Sequence, residues 1–323
     1  MEEFGHLPVM GREVVELLLP APAGLLVDCT VGGGGHASLV LEARADVQVL
    51  GIDRDARAVT AARARLARFG GRVRVVQGGF EGIGGIVERH GEGERVMGIL
   101  MDLGVSSPQL DRAERGFSYR YDAPLDMRMD IRQDLSAAEV VNEYDEARLA
   151  GVIASFGEER FARRIAHAIV AARPVLTTAR LADVVRDAIP AAARRRGPHP
   201  ARRTFQAIRM EVNRELESLE AGLDESVHLV GPEGRILVLA YHSLEDRIVK
   251  GRFTEWSGDR AAAAEPRGLP VPAPAPAAMV RLLTRRPLRP AADEVAANPR
   301  AESARLRAVE RLAAPVDVID AVA

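Results

Sequence analysis

The sequence predicts an α/β fold, a doubly wound parallel sheet interrupted by an inserted helical domain. Up to Asp102, short apolar runs alternate with amphipathic stretches, the βαβ rhythm of such a sheet. Those runs are apolar throughout, as strands covered on both faces must be. Beyond Asp102 the pattern turns to loops and helices, and no further strand candidate appears before Arg235.

Taken in order, Leu25-Leu26-Val27, Val49-Leu50-Gly51-Ile52, Val73-Arg74-Val75-Val76 and Gly98-Ile99-Leu100-Met101 read as the first four strands. His36 to Arg44 and Asp55 to Phe69 read as helices between them, the second with Val59, Ala62, Leu66 and Phe69 at helical spacing. Gly104 to Asp134 is loop-rich. Ser136 with Glu139 makes a capping box that opens a helix, and Glu159 to Ala172 and Ala179 to Ile189 make two more. Phe205, Ile208, Val212, Leu216, Leu219 and Leu223 predict one long helix returning to the sheet, whose fifth strand is Arg235 to Tyr241. Residues 261–278 are rich in Ala and Pro and are expected to be a mobile loop. The expected division is 1–109 with 204–323 for the sheet domain and 110–203 for the insertion, in keeping with about two domains for 323 residues.

Bulk properties narrow the function classes. A net charge of -2 gives no global attraction to nucleic acid, so RNA binding must rest on a local patch. Cys29 is the single cysteine, which excludes an internal disulfide and a cysteine-rich zinc site and points to a reducing compartment. No apolar run approaches the roughly 20 residues of a membrane span, and the start carries Glu2, Glu3 and Pro8 instead of a basic and then apolar leader. The expectation is a cytoplasmic protein, with a homodimer left open.

Gly32-Gly33-Gly34-Gly35 follows the first strand and opens a helix, where backbone N–H groups and the positive helix end approach a ligand closely. Gly32-x-Gly34-x-x-Ala37 with Asp53, 21 residues beyond Gly32, fits the dinucleotide fingerprint and serves a dehydrogenase or a methyltransferase alike. Two details favour S-adenosylmethionine. Asp28 ends the first strand before the glycines, near where the methionine end of that cofactor lies. Met101-Asp102-Leu103-Gly104-Val105-Ser106-Ser107-Pro108 then puts an acid and a proline-bearing turn at the end of strand four, where ligands gather. Cys29 reads as packing, because no histidine suited to activate it stands nearby.

Longer motifs run in order along the chain. They include Thr30-Val31-Gly32-Gly33-Gly34-Gly35-His36, Gly51-Ile52-Asp53-Arg54-Asp55, Asp102-Leu103-Gly104-Val105-Ser106-Ser107-Pro108-Gln109-Leu110-Asp111 and Pro124-Leu125-Asp126-Met127-Arg128-Met129-Asp130. His6-x-Pro8-Val9, Glu114-Arg115-Gly116-Phe117-Ser118, Gly157-Glu158-Glu159-Arg160, Thr204-Phe205-Gln206-Ala207-Ile208-Arg209, His242 to Lys250 and Asn298-Pro299-Arg300 complete the set. In these the chain resembles the ribosomal small-subunit RNA methyltransferase H family, also called MraW. The resemblance implies a Rossmann-like class I methyltransferase that methylates N4 of a cytidine in the decoding region of 16S ribosomal RNA. It further implies cofactor contacts at Gly34, Gly35, His36, Asp53, Phe80, Asp102 and Gln109, to which the fingerprint adds Gly32. Cys29 and Val31 stand where the family usually has glycine and phenylalanine, Arg202 where threonine is usual, and Ala240-Tyr241 where phenylalanine is more usual.

The cytosine amine is a poor nucleophile, its lone pair being delocalised into the ring, so acceptors are required for its protons as it pyramidalises. Asp102, Ser107 in its turn, and His242 at the end of the fifth strand are the candidates, and no metal is needed. A second reading makes Asp102 a cofactor-orienting carboxylate. A nucleotide in folded RNA must also be splayed out, which calls for cationic and aromatic groups around the site. Arg194-Arg195-Arg196, Arg202-Arg203 and Arg209 lie in a stretch without an acid from Ala188 to Met210, while Arg115, Phe117, Tyr119, Arg120, Tyr121 and Arg128 interleave the two types. Ser243 with Asp246 reads as a helix cap, and Asp246 equally as an active-site acid.

Overall fold

The computed structural model describes residues 8–105, 112–194, 199–258 and 277–313. The chain divides into two compact units, one made of the segments up to Gly104 and from Ser218 onward, the other of Val105–Glu217.

In the first unit, α1 (Gly11–Leu18), β1 (Gly24–Asp28), α2 (Gly35–Ala43), β2 (Val47–Asp53), α3 (Ala56–Leu66), β3 (Val73–Gln77), α4 (Ile83–His90) and β4 (Val96–Asp102) alternate in the predicted order, α1 and α4 being additions to it. β5 (Arg235–Ala240), β6 (Val280–Leu282) and β7 (Arg305–Arg311) complete a sheet of order β3-β2-β1-β4-β5-β7-β6 among the described residues. The first five strands are parallel, whereas β7 runs antiparallel to both β5 and β6. Both faces are covered: Leu25, Val27, Ile236 and Val238 face one apolar core, and Leu26, Leu237 and Leu239 face another with Val14, Val40 and Leu66 from α1, α2 and α3. Burial on both faces is why the parallel strands carry no alternation. Reversal at β1 then brings the carboxyl ends of β2, β1 and β4 side by side, the place where such sheets hold ligands.

The second unit holds α5 (Ala137–Glu143), α6 (Glu146–Gly157), α7 (Ala162–Ala171), α8 (Thr178–Ala188), the single turn α9 (Ala191–Arg194) and α10 (Arg202–Asn213). Three of its helices start where the chain supplies caps: Ser136 and Glu139 form the reciprocal box expected of them, and Asp145 and Thr177 accept from Arg148 and Arg180 N–H. α6 packs against α7 and α10 around Val152, Ile153, Ile165, Phe205 and Ile208.

The long helix expected from Phe205 to Leu223 is two helices. Arg214 adopts a left-handed conformation (φ 49°) that ends α10, and α11 (Glu215–Leu229) starts afresh. Phe205, Ile208 and Val212 are buried in the helical unit's core, while Leu219, Leu223 and Val227 are buried against the sheet. One straight apolar stripe cannot serve two cores, so the turn redirects it. The units accordingly divide at 104/105 and 217/218, not at 109/110 and 203/204. The chain then runs through β5, α12 (Ser243–Trp256), β6, α13 (Ala292–Ala297) and β7. No helix among the described residues is long and apolar enough to cross a membrane.

Gly157 ends α6 where a Cβ would stand 2.8 Å from the backbone oxygen of Arg203 in α10. A backbone oxygen does not yield as a side-chain tip does. Gly157→Ala is therefore expected to destabilise the protein by about 2 kcal/mol, seen as a lower midpoint in denaturant unfolding. An unchanged midpoint would contradict so tight an approach.

Candidate functional site

At the carboxyl edge of β1, the loop Cys29–Gly34 is tied down on both sides. Val31 N–H donates to Ile52 O of β2 and Cys29 N–H to Leu100 O of β4. Asp53 accepts from Gly32 N–H through Oδ2 and from Asp55 N–H through Oδ1, each at 2.9 Å. The carboxylate predicted for a ligand is thus also the clasp between the loop and β2. Gly34 (φ 79°) turns the chain into α2 where a Cβ would meet Leu66 at 3.0 Å. Val31, buried, packs onto Gly51, whose missing side chain makes the room. This is how a valine is accommodated where the resembled family has phenylalanine. Cys29 is also buried, and burial raises its thiol well above the usual range, so it packs and does not react.

Asp102 ends β4 and gathers the remaining elements. Its N–H donates to Thr30 Oγ1 at 2.6 Å, and its Oδ1 accepts from the Tyr241 hydroxyl at 2.7 Å. Its Oδ2 lies 3.6 Å from His36 Nδ1. His36 is buried and its Nε2 stands 2.9 Å from Val9 O. A carbonyl only accepts, so Nε2 carries the hydrogen there. Nδ1 of a neutral ring then turns a lone pair toward the carboxylate, at a separation beyond a hydrogen bond. Burial raises the Asp102 carboxyl, against the pull of His36 and the Tyr241 hydrogen bond. Burial first, then the Asp102 charge, pushes the Tyr241 phenol well above its ordinary range, which keeps it a donor.

Asp28 lies beneath this group, 1% exposed, accepting from Thr30 N–H at 3.3 Å. Desolvation pushes its carboxyl up to about 7, opposed by His36. Asp53 is pushed to about 6 by burial, opposed by its two N–H donors. Three carboxyls at adjacent strand ends, raised by burial, make a sheet edge disposed toward a cation. Phe80, after β3, packs on Gly222 of α11, and Arg54 lies over its ring at 5.8 Å.

His242 is the N-cap of α12: its Nδ1 accepts from Glu245 N–H, and Glu245, buried, accepts from Tyr241 N–H at 2.8 Å and from His242 N–H. Its Nε2 lies 3.0 Å from Glu245 Oε1 without hydrogen-bond geometry. The cap expected from Ser243 and Asp246 is thus made by His242 and Glu245, one residue earlier in register. Asp246 instead holds Arg307 (2.6 and 3.2 Å) and Arg305 (3.2 Å), fastening α12 to β7. Burial alone would raise its carboxyl; the two guanidiniums prevail and hold it below the usual range.

The structure therefore brings together Gly32, Gly34, Gly35, His36, Asp53 and Asp102 on consecutive strand ends, with Phe80 after β3 and His242 after β5. Ser107 and Gln109 lie outside the described residues, as do Arg195 and Arg196. Thr30, Tyr241 and Glu245 were missed as parts of the site. Thr30 had a signal, standing two residues after Asp28 and directly before the glycines. The basic and aromatic segments are mostly occupied: Arg115 and Phe117 are buried, Arg128 pairs with Asp126, Arg209 with Glu215, and Arg194 bonds Ile189 O. Tyr119 stacks on His199 at 4.4 Å and meets Phe205 edge-on.

Comparison with known proteins adds three findings. The family model described as the MraW methylase family matches residues 3–312. A protein of Thermobifida fusca named ribosomal RNA small subunit methyltransferase H is 53% identical over 96% of this chain and 94% of its own length. Proteins of the same name from Kocuria rhizophila (51%, 96% and 95%) and Symbiobacterium thermophilum (50%, 96% and 98%) are similar to it over nearly their whole lengths.

Two outcomes follow from the carboxyls. Asp28 has a folded-state pKa near 7 against about 4 unfolded, so the folded chain holds a proton that the unfolded chain has released. Its contribution to stability accordingly declines as pH rises from 4 to 7. Asp28→Asn should raise the unfolding free energy at pH 8 by about 2–4 kcal/mol and by much less at pH 5; parallel pH profiles for the two proteins would show that Asp28 is not raised. Asp246 has the opposite sign. Its pairing stabilises above the unfolded value near 4 and is lost as pH falls through the lower folded value. Asp246→Asn should cost about 3 kcal/mol at pH 7 by thermal unfolding, and full stability in the variant would rule out a structural role for the pair.

Proposed function

Because the chain belongs to the MraW methylase family, we propose that it transfers a methyl group from S-adenosylmethionine to the exocyclic N4 of a cytidine in the decoding region of 16S ribosomal RNA. The doubly wound sheet is the Rossmann-like sheet of class I methyltransferases. The observation that carries the reading is the meeting of Asp102, His36 and Tyr241 at the end of β4, beside the glycine loop.

The residues present fit the cofactor. When bound, S-adenosylmethionine supplies a sulfonium-activated methyl group. Its ammonium and sulfonium charges suit an edge where Asp28, Asp53 and Asp102 are desolvated. Gly34 and Gly35 leave the first turn of α2 open, with N–H groups that have no partner inside the helix. Asp53 keeps lone pairs for ribose hydroxyls beside the two N–H groups it already accepts, and Phe80 offers a ring face to the adenine.

The acceptor side is the work of Asp102. A cytosine amine gains nucleophilicity only as its lone pair leaves conjugation, and a carboxylate that accepts an amine hydrogen favours that change. Tyr241 fixes Oδ1 by donating to it, and the backbone bond to Thr30 fixes the strand end. Orientation of this kind accounts for much of the acceleration. With Nε2 carrying its hydrogen toward Val9 O, His36 turns its Nδ1 lone pair toward Oδ2 at 3.6 Å, so a proton that Asp102 takes from the amine has a next acceptor in the same group. His242 and Ser107 complete the proposed acceptor set, and the helical insertion is the proposed substrate-recognition domain. A ribosomal RNA substrate goes with a cytoplasmic location.

Incubation with labelled S-adenosylmethionine and small ribosomal subunits or free 16S RNA, followed by digestion to nucleosides, tests the reading. Label is expected in N4-methylcytidine, and Asp102→Asn should lower turnover by about 10²-fold. Label confined to another nucleoside would overturn the assignment of the amine.

A further inference from the structure

Several arginines of the helical unit are neutralised where they stand. Arg128, Arg132, Arg148, Arg186, Arg209 and Arg214 each hold a carboxylate within 3.4 Å. Arg160, Arg163 and Arg164 are not, and they lie together. They surround one shallow hollow with Ala154, Phe161 and the start of α7, all three are exposed, and none has a carboxylate partner among the described residues.

The acids near them are committed elsewhere. Glu159 is buried and accepts from Phe161 N–H at 3.0 Å, Glu146 holds His167 at 3.0 Å, and the Glu158 carboxylate pairs with none of the three. Arg203 is engaged with Glu158 O at 3.1 Å. Arg160 lies over the Phe161 ring at 4.5 Å, which orients its guanidinium and leaves its hydrogen-bond donors outward. Positive charges held unpaired at 3-residue and adjacent spacing, at the positive end of a ten-residue helix, lack only an anion.

Resting on the functional reading above, we propose that this face of α7 is a docking surface for the sugar-phosphate backbone of the RNA substrate, with Arg160, Arg163 and Arg164 each contacting a phosphate. Such contacts carry affinity and orientation but no base sequence. The surface thus differs from both segments that the sequence nominated, whose described arginines and aromatic rings are largely engaged within the unit.

The test is binding of labelled 16S RNA transcript by the full chain across 50–200 mM KCl, with methylation measured in parallel. The triple variant Arg160→Gln, Arg163→Gln, Arg164→Gln should bind about 10–100-fold more weakly, with the slope of log K against log salt reduced by about 2–3. Its melting temperature and S-adenosylmethionine affinity should be unchanged. Arg132→Gln, which removes an exposed but paired arginine, should bind as the parent does. Should the glutamine variant fail to fold, the triple lysine variant keeps the charge and should retain the parent salt slope; a lost slope there would overturn the proposal. A parent protein that methylates RNA and a folded triple glutamine variant with unchanged affinity and slope would overturn this surface alone. A parent protein that leaves the RNA unmethylated would overturn the functional reading and this surface with it.

Discussion

The site depends on one carboxylate to which three strand ends are referred. Asp102 is bound through its N–H to the loop after β1, through Oδ1 to the residue after β5, and stands through Oδ2 beside the first turn of α2. A parallel sheet brings carboxyl ends together by topology, but topology alone leaves the loops beyond them free to splay. The Tyr241 hydrogen bond goes to a charged acceptor in a poorly solvated place, where such bonds are stronger than neutral ones, and each of the three contacts fixes a different segment. Asp53 repeats the device one strand away, holding Gly32 and Asp55 on its two oxygens. The carboxylates proposed to meet the ligand are here also structural clasps.

That double use explains what the sequence could and could not disclose. The parallel strands were legible because burial on both faces leaves an uninterrupted apolar run, and the glycine loop because Gly34 has a positive φ and no space for a side chain. The acids at strand ends were legible by position. Their partners were not: Tyr241 and Thr30 look like ordinary strand-end residues until the fold places them 2.7 and 2.6 Å from Asp102. The cap of α12 was read one residue late because Ser243 is the more common capping type, while His242 accepts through a ring nitrogen.

The antiparallel strands β6 and β7 escaped notice for another reason. Arg305 to Arg311 carries three arginines, which break its apolar residues into Leu306 and the pair Ala308-Val309. Two of those arginines belong to Asp246 and are polar only in composition. The helix from Phe205 to Leu223 failed because periodicity records that residues are buried and not in which core. Arg214, a cation in a left-handed turn, is not the glycine or asparagine that would have marked the stop.

The placement of the helical unit in the chain also bears on how the protein reaches its fold. β4 and β5 are neighbours in the sheet yet roughly 130 residues apart in sequence, and closing so long a flexible loop carries an entropy cost that rises with its length. Helices joined by short connections and capped by their own residues form their contacts locally and early. Once α5 to α10 have condensed, the segment between β4 and β5 is a compact body in place of a floppy chain, and the fifth strand has less conformational space to search. The insertion thus acts as a folding aid to the sheet that it interrupts, and weakening its core should slow the assembly of strands that it does not itself contain.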